Sequence, residues 1–236
     1  MQRFWDGARS EELDGAWRIL LDNRPVRIPG GAELRLPNPR LAEAVAEEWR
    51  GAAGGRKGGK TSYADLPLTR IAGTGQVRIA PDPEPMVLEL TRYGETDLLC
   101  YRAETPAELA ARQAAAWQPW LDWAAARHGA RLLPTTGVMH VSQPVDALAA
   151  LAAALARIGP YGLAALGIAV PALGSLVLGL ALAERVLPAE QAHGLASLDE
   201  TFQEEFWGTD EEALARRRRI GEDIAVAARF LELLHA

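Results

Sequence analysis

The chain has 236 residues, 49% hydrophobic and 24% charged, enough apolar content for a sizeable core and too much for a disordered chain. Its formal net charge of -6, with basic residues that do not interleave with aromatics, argues against a nucleic-acid partner. A single cysteine, Cys100, forms no internal disulfide and has no neighbours to complete a metal quartet, so it reads as a small core residue.

Met1-Gln2-Arg3-Phe4-Trp5-Asp6 lacks the apolar stretch of a secretory signal and the Arg/Ser-rich pattern of a transit peptide. The expectation is a bacterial cytoplasmic protein, or a mitochondrial matrix one if the chain is eukaryotic. Up to Pro37, short runs at Trp17–Leu21, Val26–Ile28 and Leu34–Leu36 are separated by Asp22-Asn23-Arg24-Pro25 and Gly30-Gly31, the pattern of antiparallel strands and hairpins. Asn38-Pro39 reads as N-cap and first turn of a helix through Leu41, Val45 and Trp49 that stops at Gly51. A flexible Gly/Lys-rich loop is expected next, as far as about Ser62.

From Met86 onward the spacing is helical. Thr105-Pro106-Ala107-Glu108 reads as a capping box that opens a helix to about His128, with Gly129 as its stop. Thr209-Asp210-Glu211-Glu212 reads as a second box, opening the last helix. Ile158 to Ala183 carries no charge and is long enough to span a bilayer. Pro160, Pro171 and the lack of an aromatic belt instead favour two buried helices broken near Val170-Pro171, with no membrane insertion. The architecture expected is α+β: a β-rich N-terminal domain with one helix and the Gly/Lys loop over residues 1–80, then a helical domain over 81–236.

Candidate chemistry is sparse. Gly54 to Thr61 satisfies the Gly-x-x-x-x-Gly-Lys-Thr phosphate-loop pattern, in which Lys60 and Thr61 would serve a nucleotide. That chemistry needs a buried strand before the loop and a helix starting at its end. Here a helix precedes the loop, and Pro67 halts any helix after it. A small nucleotide-binding protein is therefore the alternative reading, with a loop of biased composition as the simpler one. His128, His140, His193 and His235 show no metal-ligand spacing, and Ser175 has no nucleophile elbow around it. Trp117, Trp120 and Trp123 form a helical stripe that suits a core, with a partner anchor as the alternative, and Arg216 to Arg219 suit a solvated helix face.

The richest surface is the block Leu198 to Gly208. At about 100° per residue, Glu200, Gln203 and Trp207 share one helix face, about 120° around from Leu195, Leu198, Phe202 and Phe206, the better core face. One reading leaves Glu200 and Gln203 solvated with Trp207 at a rim. The other makes this face a surface that meets another protein, with Asp199 and Glu204 beside it.

The order of these motifs resembles the assembly chaperones that bind the α subunit of the F-type ATP synthase catalytic head. The resemblance covers most of the chain: Arg3-Phe4-Trp5, Gly15-Ala16-Trp17, Leu21 to Val26, Leu36-Pro37, Leu41 to Trp49, Leu66-Pro67-Leu68-Thr69-Arg70, Asp97 to Ala103, Gln113 to Trp123, Gly174-Ser175-Leu176 and Glu200 to Gly208. The chain departs from the family pattern at Gly51–Lys60 and at Gly73-Thr74-Gly75-Gln76. The resemblance implies a β-rich front and a helical rear, a protein that is not an enzyme and hydrolyses nothing, and a newly made α subunit as transient client; from the residues themselves no cofactor or metal is expected. It also implies that an acidic residue of the late block matters for function, and Glu200 is the position that matches. A chaperone whose surface must stay free for its client is expected to be monomeric.

Overall fold

The computed structural model describes residues 1–235. Its contacts divide into two compact units, one of residues 1–82 joined by 160–165 and by the C-terminal stretch from Arg229, the other of 83–159 and 166–228.

In the first unit, β1 (Ala8–Leu13) and β2 (Ala16–Leu21) pair antiparallel around a tight turn at Asp14-Gly15. Both turn residues have positive φ, 53° and 74°, the geometry that matches the twist of a two-residue hairpin. The short β3 (Arg24–Pro25) adds to the other edge of β2. The segments around Val26 and Leu34 make only isolated bridges, Arg27 with Glu33 and Trp17 with Leu36, rather than the two strands their alternation suggests. The strand that alternation did not reveal is β1, Ala-Arg-Ser-Glu-Glu-Leu, which is held by its ladder and by the Glu11–Arg18 pair across it rather than by an apolar face.

Helix α1 (Pro39–Gly51) starts as its sequence announces, with the Asn38 side-chain oxygen accepting from Leu41 N at 2.9 Å. Leu41, Ala42, Val45, Ala46 and Trp49 are its buried stripe, and α1 packs on β1 and β2. At its far end the buried guanidinium of Arg3 donates to the carbonyls of Arg50 and Ala52 as well as Trp5 and Asp6. It thereby satisfies carbonyls at the negative end of the helix dipole. The Trp5 indole donates to Trp49 O at 3.1 Å. The Glu48 carboxylate accepts from Leu68 N, Thr69 N and the Thr69 hydroxyl, capping α2 (Pro67–Thr74) from a neighbouring helix. Helical backbone continues past α2 as one wide turn over Gly75–Ile79. A Cβ on Gly75 would lie 3.0 Å from Tyr161 Cα, so glycine is what permits this approach.

The second unit contains α3 (Glu84–Glu95), β4 (Tyr101–Arg102), α4 (Ala107–His128), β5 (Thr135–Thr136), α5 (Val145–Ala156), most of α6 (Gly159–Leu173), α7 (Leu176–Ala183), α8 (Ala189–Ala196), α9 (Leu198–Trp207) and most of α10 (Glu211–Leu234). β4 and β5 pair parallel over two residues each. All eight residues of α7 are buried, as a helix apolar on every side must be. The uncharged stretch does form two helices, but the break falls at Gly174-Ser175, where Gly174 adopts the left-handed conformation and Ser175 Oγ accepts from Leu178 N. Pro171 fits inside the last turn of α6. Among the described residues no helix is long and apolar enough to cross a membrane.

Both capping boxes need correction. Helix α4 has Pro106 at its N-cap and no side-chain cap, so Thr105 and Glu108 do not close a box. At α10, Asp210 supplies the cap: its Oδ1 accepts from Glu212 N at 3.1 Å, one residue later than Thr209. Gly129 does end α4, with φ 79°.

Candidate functional site: an apolar ledge on α9

Helix α9 begins after Ser197 and ends at Gly208, whose φ of 80° only glycine adopts at low cost. Phe202 faces inward and is buried. The Arg112 guanidinium lies over its ring at 5.0 Å and pairs with both Glu205 at 2.7 Å and Glu108 at 2.8 Å. The Arg112 hydrogen bond is the main reason the Glu205 carboxyl lies below the usual carboxylate range.

The acidic residues of the block are largely committed to the protein itself. Asp199 accepts from Gln113 Nε2 at 2.7 Å, and Gln113 in turn accepts from Ala103 N on its side-chain oxygen. Glu204 makes a two-point pair with Arg217, both bonds 2.8 Å, with only 18% and 15% of the two side chains exposed. Glu200 reaches Arg216 at 2.8 Å in a more open pair. Arg216 and Arg217 are therefore not a free solvated face, as their sequence suggests; they fasten α10 to α9.

The exposed remainder is mostly apolar. Trp207 is 84% exposed and Phe206 61% exposed. Phe206 had the spacing of a core residue; instead its ring packs on Phe202 at 5.0 Å and leaves the rest of its surface in solvent. The exposed Gln203, with Phe202, Phe206 and Trp207, forms one wall of a cleft of about 510 Å³. Thr105, Pro106, Glu108 and Leu109 at the start of α4 form the other. Sequence reading found Gln203 and Trp207 but missed Phe206 and the α4 wall. Pro106 and Leu109 gave no sign of where α9 would lie.

The other candidates resolve as structure. Lys60 bridges Gln2, Thr61 N donates to Met1 O at 2.9 Å, and Gly59 O accepts from Arg3 N at 2.9 Å. The Gly/Lys segment is thus laced to the N-terminal residues instead of being a flexible loop. It is preceded by α1 and succeeded by a single 3-10 turn at Tyr63–Asp65, so the strand and helix that would make a phosphate loop are missing around it. Trp117 is fully buried and donates to Leu195 O at 3.0 Å, while Trp120 and Trp123 are both half-buried and meet edge to face. Cys100 is buried, and burial pushes its thiol up to about 12. Among the described residues no cluster of three or more His, Cys, Asp or Glu is placed to hold a metal ion.

An exposed two-ring ledge beside an apolar cleft, fastened by ion pairs, is the equipment of a polypeptide-binding protein. Comparison with known proteins agrees. The family model described as ATP12 chaperone protein matches residues 2–125. The crystal structure of Atp12 from Paracoccus denitrificans superposes with a TM-score of 0.92 at 40% identity, covering 99% of this chain and 98% of that one. An aspartate-to-lysine variant of the same Paracoccus protein matches equally, with TM-score 0.92 and 40% identity over 99% of this chain and 97% of that one. The mitochondrial protein atp12 of Schizosaccharomyces pombe is 25% identical over 226 residues, 90% of this chain and 75% of that protein. The chain belongs to the ATP12 chaperone family.

Proposed function

We infer that this chaperone holds the unassembled α subunit of the F-type ATP synthase catalytic head, covers the surface that will later face the β subunit, and releases it to that subunit. The observation that carries this reading is the Phe206–Trp207 ledge with Gln203 beside the cleft. A subunit awaiting assembly exposes a large apolar interface that aggregates unless covered. Two adjacent aromatic rings give large contact area at small entropic cost, and Gln203 and Glu200 can satisfy polar groups around it. Asp199 and Glu204 act one step back, keeping α9 in place through Gln113 and Arg217. Capture by surface complementarity requires no nucleotide hydrolysis, so the reading is of a protein that works without ATP, as a monomer, and not as an enzyme. Its setting would be the bacterial cytoplasm.

The test is suppression of aggregation of α subunit diluted from denaturant. Trp207→Ala is expected to lose suppression with a stability change within about 0.5 kcal/mol, since it removes an exposed side chain. Glu200→Lys, which sets a second cation beside Arg216, is expected to weaken capture without unfolding the chain. Full suppression by both variants would reject the α9 surface.

A further inference from the structure

The first unit carries a second cleft, of about 550 Å³, which shares no lining residue with the α9 cleft. Its floor is apolar: Ile28, Pro29, Gly73 and Val77 line it, and Val77 is an exposed hydrophobic residue. Gly73 lets α2 lie close against Ile28 at this floor, because a Cβ there would stand 3.2 Å from Ile28 Cγ2. Arg70 and Arg78 also line the cleft, both exposed. Eight positions apart on continuous helical backbone, α2 and the wide turn after it, they lie within about a quarter turn of each other.

Neither guanidinium has a carboxylate partner among the described residues. The carboxylate of Asp65, in the turn beside the cleft, is committed to Ser62 N at 2.8 Å and to the Ser62 and Thr61 hydroxyls. In a chain with net charge -6, two free arginines beside one apolar cleft are a local reversal of sign. The block Leu66-Pro67-Leu68-Thr69-Arg70 sharpens the point. Leu66 and Leu68 are buried, Pro67 opens α2, and Thr69 bonds to Glu48 and to the Trp49 indole. Packing accounts for four of the five residues and leaves Arg70 without an internal task.

We propose that this cleft is a second docking point, which takes an apolar segment of polypeptide with carboxylates spaced to meet Arg70 and Arg78. The polypeptide nature of the occupant rests on the protein being a chaperone; the carboxylates are argued from charge complementarity. Arginine holds a carboxylate through two parallel N–H bonds, so the pair gives register as well as attraction. The apolar floor takes the side chains between the acids.

The experiment uses the full chain and a short fluorescent amphipathic peptide with leucines on one face and glutamates beside them, with a matched peptide carrying glutamine instead. The glutamate peptide should bind, the glutamine peptide should bind about tenfold more weakly, and the difference should shrink with added salt. Arg70→Glu with Arg78→Glu should erase the preference. Arg70→Gln with Arg78→Gln should reduce it, and provides the milder variant if the double reversal destabilises the fold. Trp207→Ala should leave it intact. No binding, equal binding of the two peptides, a preference that survives the arginine changes, or one lost equally in Trp207→Ala would overturn the proposal. The α9 reading is judged separately by α-subunit aggregation, so either can fail alone.

Discussion

Asp97 shows how much a single buried carboxylate can govern in this fold. It is fully buried, accepts from Leu99 N and Val177 N at 3.1 Å each, and burial raises its pKa to about 6. The unfolded chain loses this proton near pH 4, whereas the native protein holds it to about pH 6. Between those values the native state binds more protons, so stability falls as pH rises, by about 3 kcal/mol in all. Asp97→Asn should remove that component: the urea midpoint of the variant, relative to the parent, should rise between pH 4 and pH 6.5. A constant difference would contradict the assignment. At this scale the sequence was legible where a residue's task is local, as at Asn38 or Gly129. It was opaque where the task depends on a distant partner. Arg3 satisfying the end of α1, and Glu204 locked to Arg217, are separated in sequence from their partners, and no periodicity announces such pairs.

Among elements, the α9–α10 pairing decides whether the ledge is presented in one orientation. Arg217 supplies the two-point bond to Glu204 in a mostly covered setting, and its loss leaves α9 held by buried Phe202, by Asp199 and by the more exposed Glu200–Arg216 and Glu205–Arg112 pairs. Arg217→Ala is expected to speed amide exchange across residues 198–207 by about tenfold while leaving α7 protected. Unchanged exchange would show that the pair is ornamental. The all-buried α7 makes a different demand. A Cβ on Gly179 would meet Val170 Cγ2 at 2.5 Å, so Gly179→Ala should overpack the α6–α7 contact and cost about 1–3 kcal/mol, read as a lower melting temperature. A rise would mean that the helix-propensity gain of alanine wins. Several helices were legible because helical spacing and terminal glycines are local signals, although neither capping box forms and Pro67, expected to halt a helix, opens α2 instead. β1 was not, because a strand held by its ladder need not alternate, and Phe206 was not, because helical spacing cannot tell where the covering elements end.

For the whole molecule, the β-rich front and helical rear were readable from the change in periodicity after the front segments. The return of residues 160–165 and of the C-terminal stretch to the first unit was not, since it depends on tertiary contacts that leave no pattern in the chain. The two clefts lie on different units and differ in charge, one with Glu108 in its wall and the other lined by Arg70 and Arg78. Co-expression decides which subunit is the client. The tagged chain is expressed with the α subunit or, separately, with the β subunit of the same organism, and co-elution is monitored by size exclusion. A discrete complex with α and none with β is expected; recovery of β instead, or of neither, would mean that α is not the client.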